Sequence, residues 1–197
     1  MTIMSRLTLI RDHGARPRVH GNGFIQLDLD PEQRLHIWGH PDIPKQEVAT
    51  PIHDHVFGFH SEMLVGRLVN VVYDLCSPAY AGEEFEVWEP VPRHGEDTVL
   101  EPTGETGSIR MGCSLVLIAG SPFLSEYDFE PFVFHEMFAP EPSATIITKR
   151  GPTLRENPTG RKPRVLVPVG VEPDNSFDRY DNDPEDLWRI IHEVLDL

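Results

Sequence analysis

Residues 50–70 read TPIHDHVFGFHSEMLVGRLVN and hold three histidines, His53, His55 and His60, within eight positions. In an extended chain alternate side chains point to the same side, so His53 and His55 project together from one face. Two imidazoles placed in this way can bind one metal ion. A proline just before them favours the start of a strand over a helix, and we predict a strand over Pro51–Phe57.

Short β-prone runs separated by turn residues follow one another along most of the chain. The sequence contains 19 prolines and 15 glycines, which favours strands joined by turns over a helical bundle. The regular spacing of the runs is typical of a sandwich or barrel. Besides the histidine stretch, we predict strands over Phe24–Leu29, Arg34–Trp38, Phe59–Val65, Arg67–Leu75, Phe85–Val91, Thr98–Glu101, Ser108–Ile118, Glu126–Phe129, Val133–Phe138, Ala144–Lys149 and Arg164–Val169.

The end of the chain is the clearest helical segment. Asp183 can cap this helix, and Pro184 fits its first turn. Its apolar residues recur at helical spacing and form one stripe. Near the start, Thr2–Asp12 fits either a short helix or an edge strand. A length of 197 residues predicts a single domain, with an N-terminal extension (1–23), a barrel core (24–150) and a C-terminal strand and helix (151–197).

Charge and cysteine content exclude several classes of function. The net charge of −15 would repel a phosphate backbone or an anionic membrane, so neither nucleic acid nor a membrane is an expected partner. With two cysteines, a disulfide framework is not expected and reduced thiols in the cytoplasm are favoured. The first residues lack the apolar segment of a signal peptide. We expect a cytoplasmic protein.

Another histidine lies far downstream, in the apolar and β-prone run FVFHEM, residues 132–137. This residue, His135, could supply a third ligand to a metal bound by His53 and His55. The alternative is that His53 and His55 are two strand histidines that share a face by coincidence.

The histidine spacing resembles the first motif of the cupin superfamily, the RmlC-like proteins, written G-x5-H-x-H-x(3,4)-E-x6-G. His53 and His55 match its histidines and Gly66 matches its last glycine, but Phe59 stands in the place of the glutamate and Glu47 in that of the first glycine. Of the second motif, G-x5-P-x-G-x2-H-x3-N, the chain keeps His135 and a proline displaced by one position. The resemblance covers roughly residues 24–150 and implies an all-β double-stranded β-helix, the jelly-roll barrel, with a C-terminal α-helix.

Loss of the motif's glutamate leaves His53, His55 and His135 as a neutral set of ligands, which is similar to the cysteine-dioxygenase-like branch of the cupins. The resemblance implies a divalent metal ion, with Fe(II) favoured and Zn, Ni or Mn as alternatives. Because neutral ligands leave the full charge of the ion, an anionic small-molecule substrate is expected. The expected function is a non-haem iron dioxygenase. Alternatives are a non-catalytic ligand-binding cupin and a metal-dependent isomerase or lyase. Small cupins are often homodimers.

His60 has two interpretations. If Phe59 faces inward, His60 faces outward as a surface residue, whereas a bulge at Gly58 would turn it inward as a fourth ligand. Glu62 and Glu136 are candidates to accept a hydrogen bond from a metal-binding imidazole.

Two further residues share the parity of the histidine pair and are candidate catalytic residues. Arg67 could bind a substrate carboxylate in a bidentate pair, and Tyr73 could orient the substrate or donate a proton. Arg110 is a further candidate for the same role as Arg67. We expect His36 and His40, in an earlier strand, to be structural, with the alternative that one of them lines the mouth of the pocket.

Overall fold

The computed structural model describes residues 2–44, 51–77, 83–92, 98–151, 160–173 and 178–196. These residues form two helices and eleven strands. In chain order the elements are α1 Ile3–Asp12, β1 Arg18–His20, β2 Phe24–Asp28, β3 Gln33–Trp38, β4 Gly58–Val65, β5 Arg67–Cys76, β6 Glu84–Pro92, β7 Thr98–Ile118, β8 Glu126–Phe129, β9 Phe134–Phe138, β10 Ser143–Arg150, β11 Val165–Pro168 and α2 Pro184–Leu195.

The strands form two antiparallel sheets. The first has the order β1-β2-β3-β10-β4-β8 and the second has the order β11-β6-β7-β5-β9. Their facing sides meet in one apolar cluster, in which Phe24, Trp38 and Met63 of the first sheet pack with Leu68 and Leu117 of the second. The predicted fold class is confirmed: the described residues form an all-β jelly-roll barrel with a C-terminal α-helix.

The other face of the first sheet is covered by both helices. Alternate residues of β2 and β3, such as Ile25 and Ile37, pack there against Leu7 of α1 and Ile191 of α2. Strand alternation therefore divides β2 and β3 into an apolar face toward the helices and a face toward the barrel interior.

Helix α2 begins as predicted. The Asp183 side chain accepts a hydrogen bond from the backbone N–H of Glu185, and Pro184 occupies the first turn. For Thr2–Asp12 the structure decides between the two interpretations in favour of a helix, because Leu7 on its inner side is buried against the sheet. No helix among the described residues is long and apolar enough to cross a membrane.

Three predicted strands differ in the structure. Residues 51–57 do not form a regular strand, because His53 alone makes isolated bridges, to His135 on one side and to Val165 on the other. The strands predicted over Thr98–Glu101 and Ser108–Ile118 are one continuous strand, β7. Its first half pairs with β6 and its second half pairs with β5, so its backbone hydrogen bonds continue through the middle.

Candidate metal centre

Three histidines converge at one end of the barrel. The ligand atoms of His53, His55 and His135 all lie within 4.8 Å of one another. The ring centroid of His53 is 4.7 Å from that of His55 and 4.7 Å from that of His135, and the third separation is 5.2 Å. Small side-chain rotations would bring all three imidazoles onto one ion.

Backbone hydrogen bonds hold the histidine segment against β9. His53 and His135 exchange two N–H···O bonds of 2.9 Å each, as directly opposed residues of an antiparallel pair do. The Phe132 N–H donates to the His55 carbonyl at 2.7 Å. The segment is thus extended without being a regular strand, and the alternation that aims His53 and His55 to the same side still applies.

Hydrogen bonds at Nδ1 select the nitrogen that faces the centre. His135 Nδ1 lies 3.2 Å from the Asn70 carboxamide oxygen, and His53 Nδ1 lies 2.8 Å from the Pro51 carbonyl. Both partners are acceptors, and the Pro51 carbonyl is closer to His53 Nδ1 than the Asn22 side-chain nitrogen at 3.4 Å. Nδ1 therefore carries the proton in each ring and Nε2 keeps its lone pair. His135 Nε2 is buried and has no partner among the described residues. An orphaned imidazole nitrogen with an anchored Nδ1 fits a metal ligand.

Aromatic rings pack against His55 and His135. Phe129 stacks on His135 with a centroid separation of 4.2 Å, and Phe59 lies 5.4 Å from His55 and 5.9 Å from His135. Phe57 adds a ring 5.2 Å from His55. Phe59, in the place of the cupin glutamate, is therefore a buried wall of the cluster, and the ligand set is neutral.

Burial keeps the imidazoles unprotonated. Burial lowers the pKa of His53, His55 and His135, and the neighbouring histidines lower those of His55 and His135 further. A neutral imidazole is the form that binds a metal. The cluster is therefore ready to bind an ion at neutral pH.

Asp54, between the two histidines in the chain, holds the segment from the opposite side. Its side chain is 0% exposed. One carboxylate oxygen accepts from the Arg164 backbone N–H at 2.7 Å, and the other accepts from its guanidinium Nε and a terminal nitrogen at 2.9 and 2.8 Å. Sequence reasoning missed this pair. Alternation turns Asp54 away from the two histidines but gives no signal that it is buried, because Arg164 lies 110 residues further along the chain.

His60 lies on the outer face of β4, away from the cluster. Its Nδ1 is 2.9 Å from Asp128, and its Nε2 is 3.4 Å from Glu126. Neighbouring Glu62 is exposed. The arrangement corresponds to the interpretation in which Phe59 faces inward and His60 outward.

The structure does not bring Tyr73 to the histidines. Tyr73 pairs with Phe134 and donates a hydrogen bond to Glu136, which places it on the face of the sheet opposite to His135. Burial, followed by that hydrogen bond, raises the pKa of Tyr73 to about 12. Tyr73 lines a separate open cavity of about 370 Å³, together with Arg164.

Arg67 and Arg110 also lie away from the cluster. Arg67 is exposed, pairs with Ile118 at the far end of β5, and has Glu141 at 3.6 Å. Arg110 is exposed and contacts Asp74 at 2.8 Å. The catalytic roles predicted for Arg67 and Tyr73 stay predictions.

The chain matches no protein-family model and no curated protein. Among solved structures it is similar to the hydroquinone 1,2-dioxygenase PnpCD, crystallised with Cd2+ and 4-hydroxybenzonitrile (11% identity, 64% of this chain and 63% of that chain, TM-score 0.34). It is also similar to hydroquinone 1,2-dioxygenase from Sphingomonas sp. TTNP3 with 4-hydroxybenzoate bound (11% identity, 63% and 62%, TM-score 0.33).

A third similar structure is L-ribose isomerase from Cellulomonas parahominis (17% identity, 79% and 61%, TM-score 0.34). The chain spans roughly three fifths of the length of each of these proteins. At such TM-scores the likenesses carry no conclusion about what this chain binds or does.

Proposed function

We propose that the protein is a metal-dependent enzyme, a non-haem iron dioxygenase that acts on a small anionic metabolite. His53, His55 and His135 would hold the ion, with Fe(II) favoured over Zn, Ni or Mn. The observation that carries the proposal is the convergence of three imidazoles, one of which has a buried Nε2 atom without a partner among the described residues. Imidazole suits iron, zinc and nickel alike.

When bound, an ion with three protein ligands supplies open coordination positions for a chelating substrate and dioxygen together. The chain's own residues do the remaining work. Asn70 and the Pro51 carbonyl hold His135 and His53 in the orientation that presents Nε2. Phe59 and Phe129 exclude water from the same volume, which strengthens the attraction between the ion and an anionic substrate.

Replacing His135 with alanine tests the metal ligands. The wild-type protein, loaded anaerobically with Fe(II) and desalted, should retain close to one iron per chain by mass spectrometry, and His135→Ala should retain almost none. His60→Ala is the matched control, because His60 is also a partly buried histidine but contacts Asp128 on the outer face. Equal iron content in His135→Ala and wild type would remove His135 from the ligand set.

Oxygen uptake separates the proposed activity from the other two functions. Iron-loaded protein should consume dioxygen when small thiols or catechols are added, and the His135→Ala variant should not. Stoichiometric metal without oxygen uptake would favour an isomerase or lyase. A wild-type protein that binds no metal would favour a ligand-binding protein.

A further inference from the structure

The interior face of the β1–β2–β3 wall is polar where a barrel interior is normally apolar. Gln26 pairs with His36 across β2 and β3, Asp28 pairs with Arg34, and Arg18 of β1 pairs with Gln26. Directly opposed residues point to the same side of a sheet. All five side chains therefore project from the face that carries Phe24 and Trp38 into the barrel, opposite to the face covered by the helices.

This wall carries an excess of positive charge. Arg18 lies 2.8 Å and Arg34 lies 2.9 Å from Asp28, so two guanidinium groups share one carboxylate. The Gln26 amide oxygen, turned toward them, accepts from Arg18 at 2.6 Å and from Arg34 at 3.2 Å. Lys149 adds a third cation close by, and its pKa is lowered by burial and by Arg34. Arg18, Arg34 and Lys149 are half-buried and Asp28 is exposed, and in a chain with a net charge of −15 this local excess of cations needs a specific reason.

His36 beside this charge lacks hydrogen-bond partners. It is 8% exposed, and neither ring nitrogen has a partner among the described residues. Its ring lies 4.7 Å from that of Phe24 and 5.7 Å from that of Trp38. Buried polar groups in proteins are almost always paired, and His36 therefore offers a donor and an acceptor with which a ligand group can pair.

The wall lies beside the histidine cluster in the barrel interior. Asn22, in the turn that joins β1 to β2, has its side-chain nitrogen 3.4 Å from His53 Nδ1. His36 and Arg34 are near enough to His55 to lower its pKa. Facing sheets lie about 10 Å apart, so a molecule that reaches from one wall to the other is small.

We propose, resting on the function above, that Arg18 and Arg34 bind the carboxylate of a small organic acid, with His36 hydrogen-bonded to the same molecule. The rest of the molecule faces the histidine cluster. A guanidinium group matches a carboxylate in a bidentate geometry. In the absence of substrate, Asp28 and Gln26 occupy the two guanidinium groups, and a substrate carboxylate competes with Asp28 for them.

Calorimetric titration with succinate, and with uncharged succinamide as its matched probe, tests the subsite in metal-loaded and metal-free protein. Succinate should bind and succinamide should not. Arg34→Gln should weaken succinate binding about tenfold to a hundredfold. Asp28→Asn removes the competing carboxylate and should tighten binding, a gain that misfolding cannot produce. Arg189→Gln makes the same charge change as Arg34→Gln on the exposed face of α2 and should leave binding unchanged.

Each outcome decides between the two proposals. Equal binding of succinate and succinamide, or an Asp28→Asn variant that binds no tighter than wild type, overturns the subsite. If the protein takes up no metal but the metal-free form still selects succinate through Arg34, the subsite stands and the proposed enzyme does not. If the protein retains metal but does not bind succinate, the proposed enzyme stands and the subsite does not.

Discussion

Asp54→Ala should destabilise the protein strongly, because it leaves the buried charge of Arg164 without its carboxylate partner. The mutation removes three hydrogen bonds to a buried carboxylate, and bonds to charged groups contribute about 1.5–3 kcal/mol each. Their sum overstates the loss, since breaking one side of a buried pair costs about 3–5 kcal/mol in practice. We expect a loss in that range, a large part of the roughly 5–15 kcal/mol by which domains are stable.

Urea unfolding of the metal-free protein measures this loss. With a slope of about 2 kcal/mol per molar urea, the midpoint should fall by roughly 2 M. The same substitution frees the segment that carries His53 and His55, so metal affinity should fall about tenfold or more, as for other groups that support ligands.

Two further variants make the result decisive. Asp54→Leu combined with Arg164→Met replaces the whole pair with apolar groups and should recover most of the stability. Asp128→Asn breaks an exposed contact to Arg150 and should cost less than about 1 kcal/mol. If Asp54→Ala unfolds at the same urea concentration as wild type, the buried pair does not hold the histidine segment and the reasoning fails.

Two other substitutions test residues of the barrel interior. His36→Leu should raise the free energy of unfolding by about 1 kcal/mol, because it removes an unpaired buried imidazole, while weakening succinate binding. Burial lowers the pKa of His36 to about 3, below the unfolded value of about 6.5, so the folded state binds fewer protons. The free energy of unfolding is therefore unaffected by this titration above about pH 6.5. Between about pH 6.5 and pH 3 it falls by about 1.4 kcal/mol per pH unit. His36→Leu should make the free energy of unfolding less dependent on pH between about pH 3 and 6.5. An unchanged dependence would contradict the lowered pKa of His36. Phe59→Glu places a carboxylate beside His55 and His135. It should lower the melting temperature of the metal-free protein, since an unpaired buried carboxylate is unfavourable, and tighten metal binding. If Phe59→Glu leaves metal affinity unchanged, position 59 does not face the ion.

Local patterns were sufficient for much of the fold. The start of α2 followed from Asp183, Pro184 and an apolar stripe, because capping and helical spacing depend on residues adjacent in the chain. The strand run Glu126–Phe129 was predicted with its observed bounds, since alternation and turn residues are also local. The same alternation, with one remote histidine, predicted the group His53, His55 and His135 that the structure brings together.

Other features depend on which strands become neighbours, and this is not written in any one segment. The histidine segment is held by single bridges to β9 and β11, so a strand-like pattern did not become a strand. Parity placed Tyr73 with the histidines, but pairing of β5 with β9 put it on the opposite face from His135.

The sequence by itself determined the local features: the imidazole pair on one face of an extended segment, the capped C-terminal helix and the strands with alternating apolar residues. The tertiary structure alone decided that Asp54 meets Arg164 and that Arg18, Arg34 and His36 lie on one face of the first sheet. The physical reason is that these contacts join residues far apart in the chain, and their energies arise only when the closed barrel removes both partners from water.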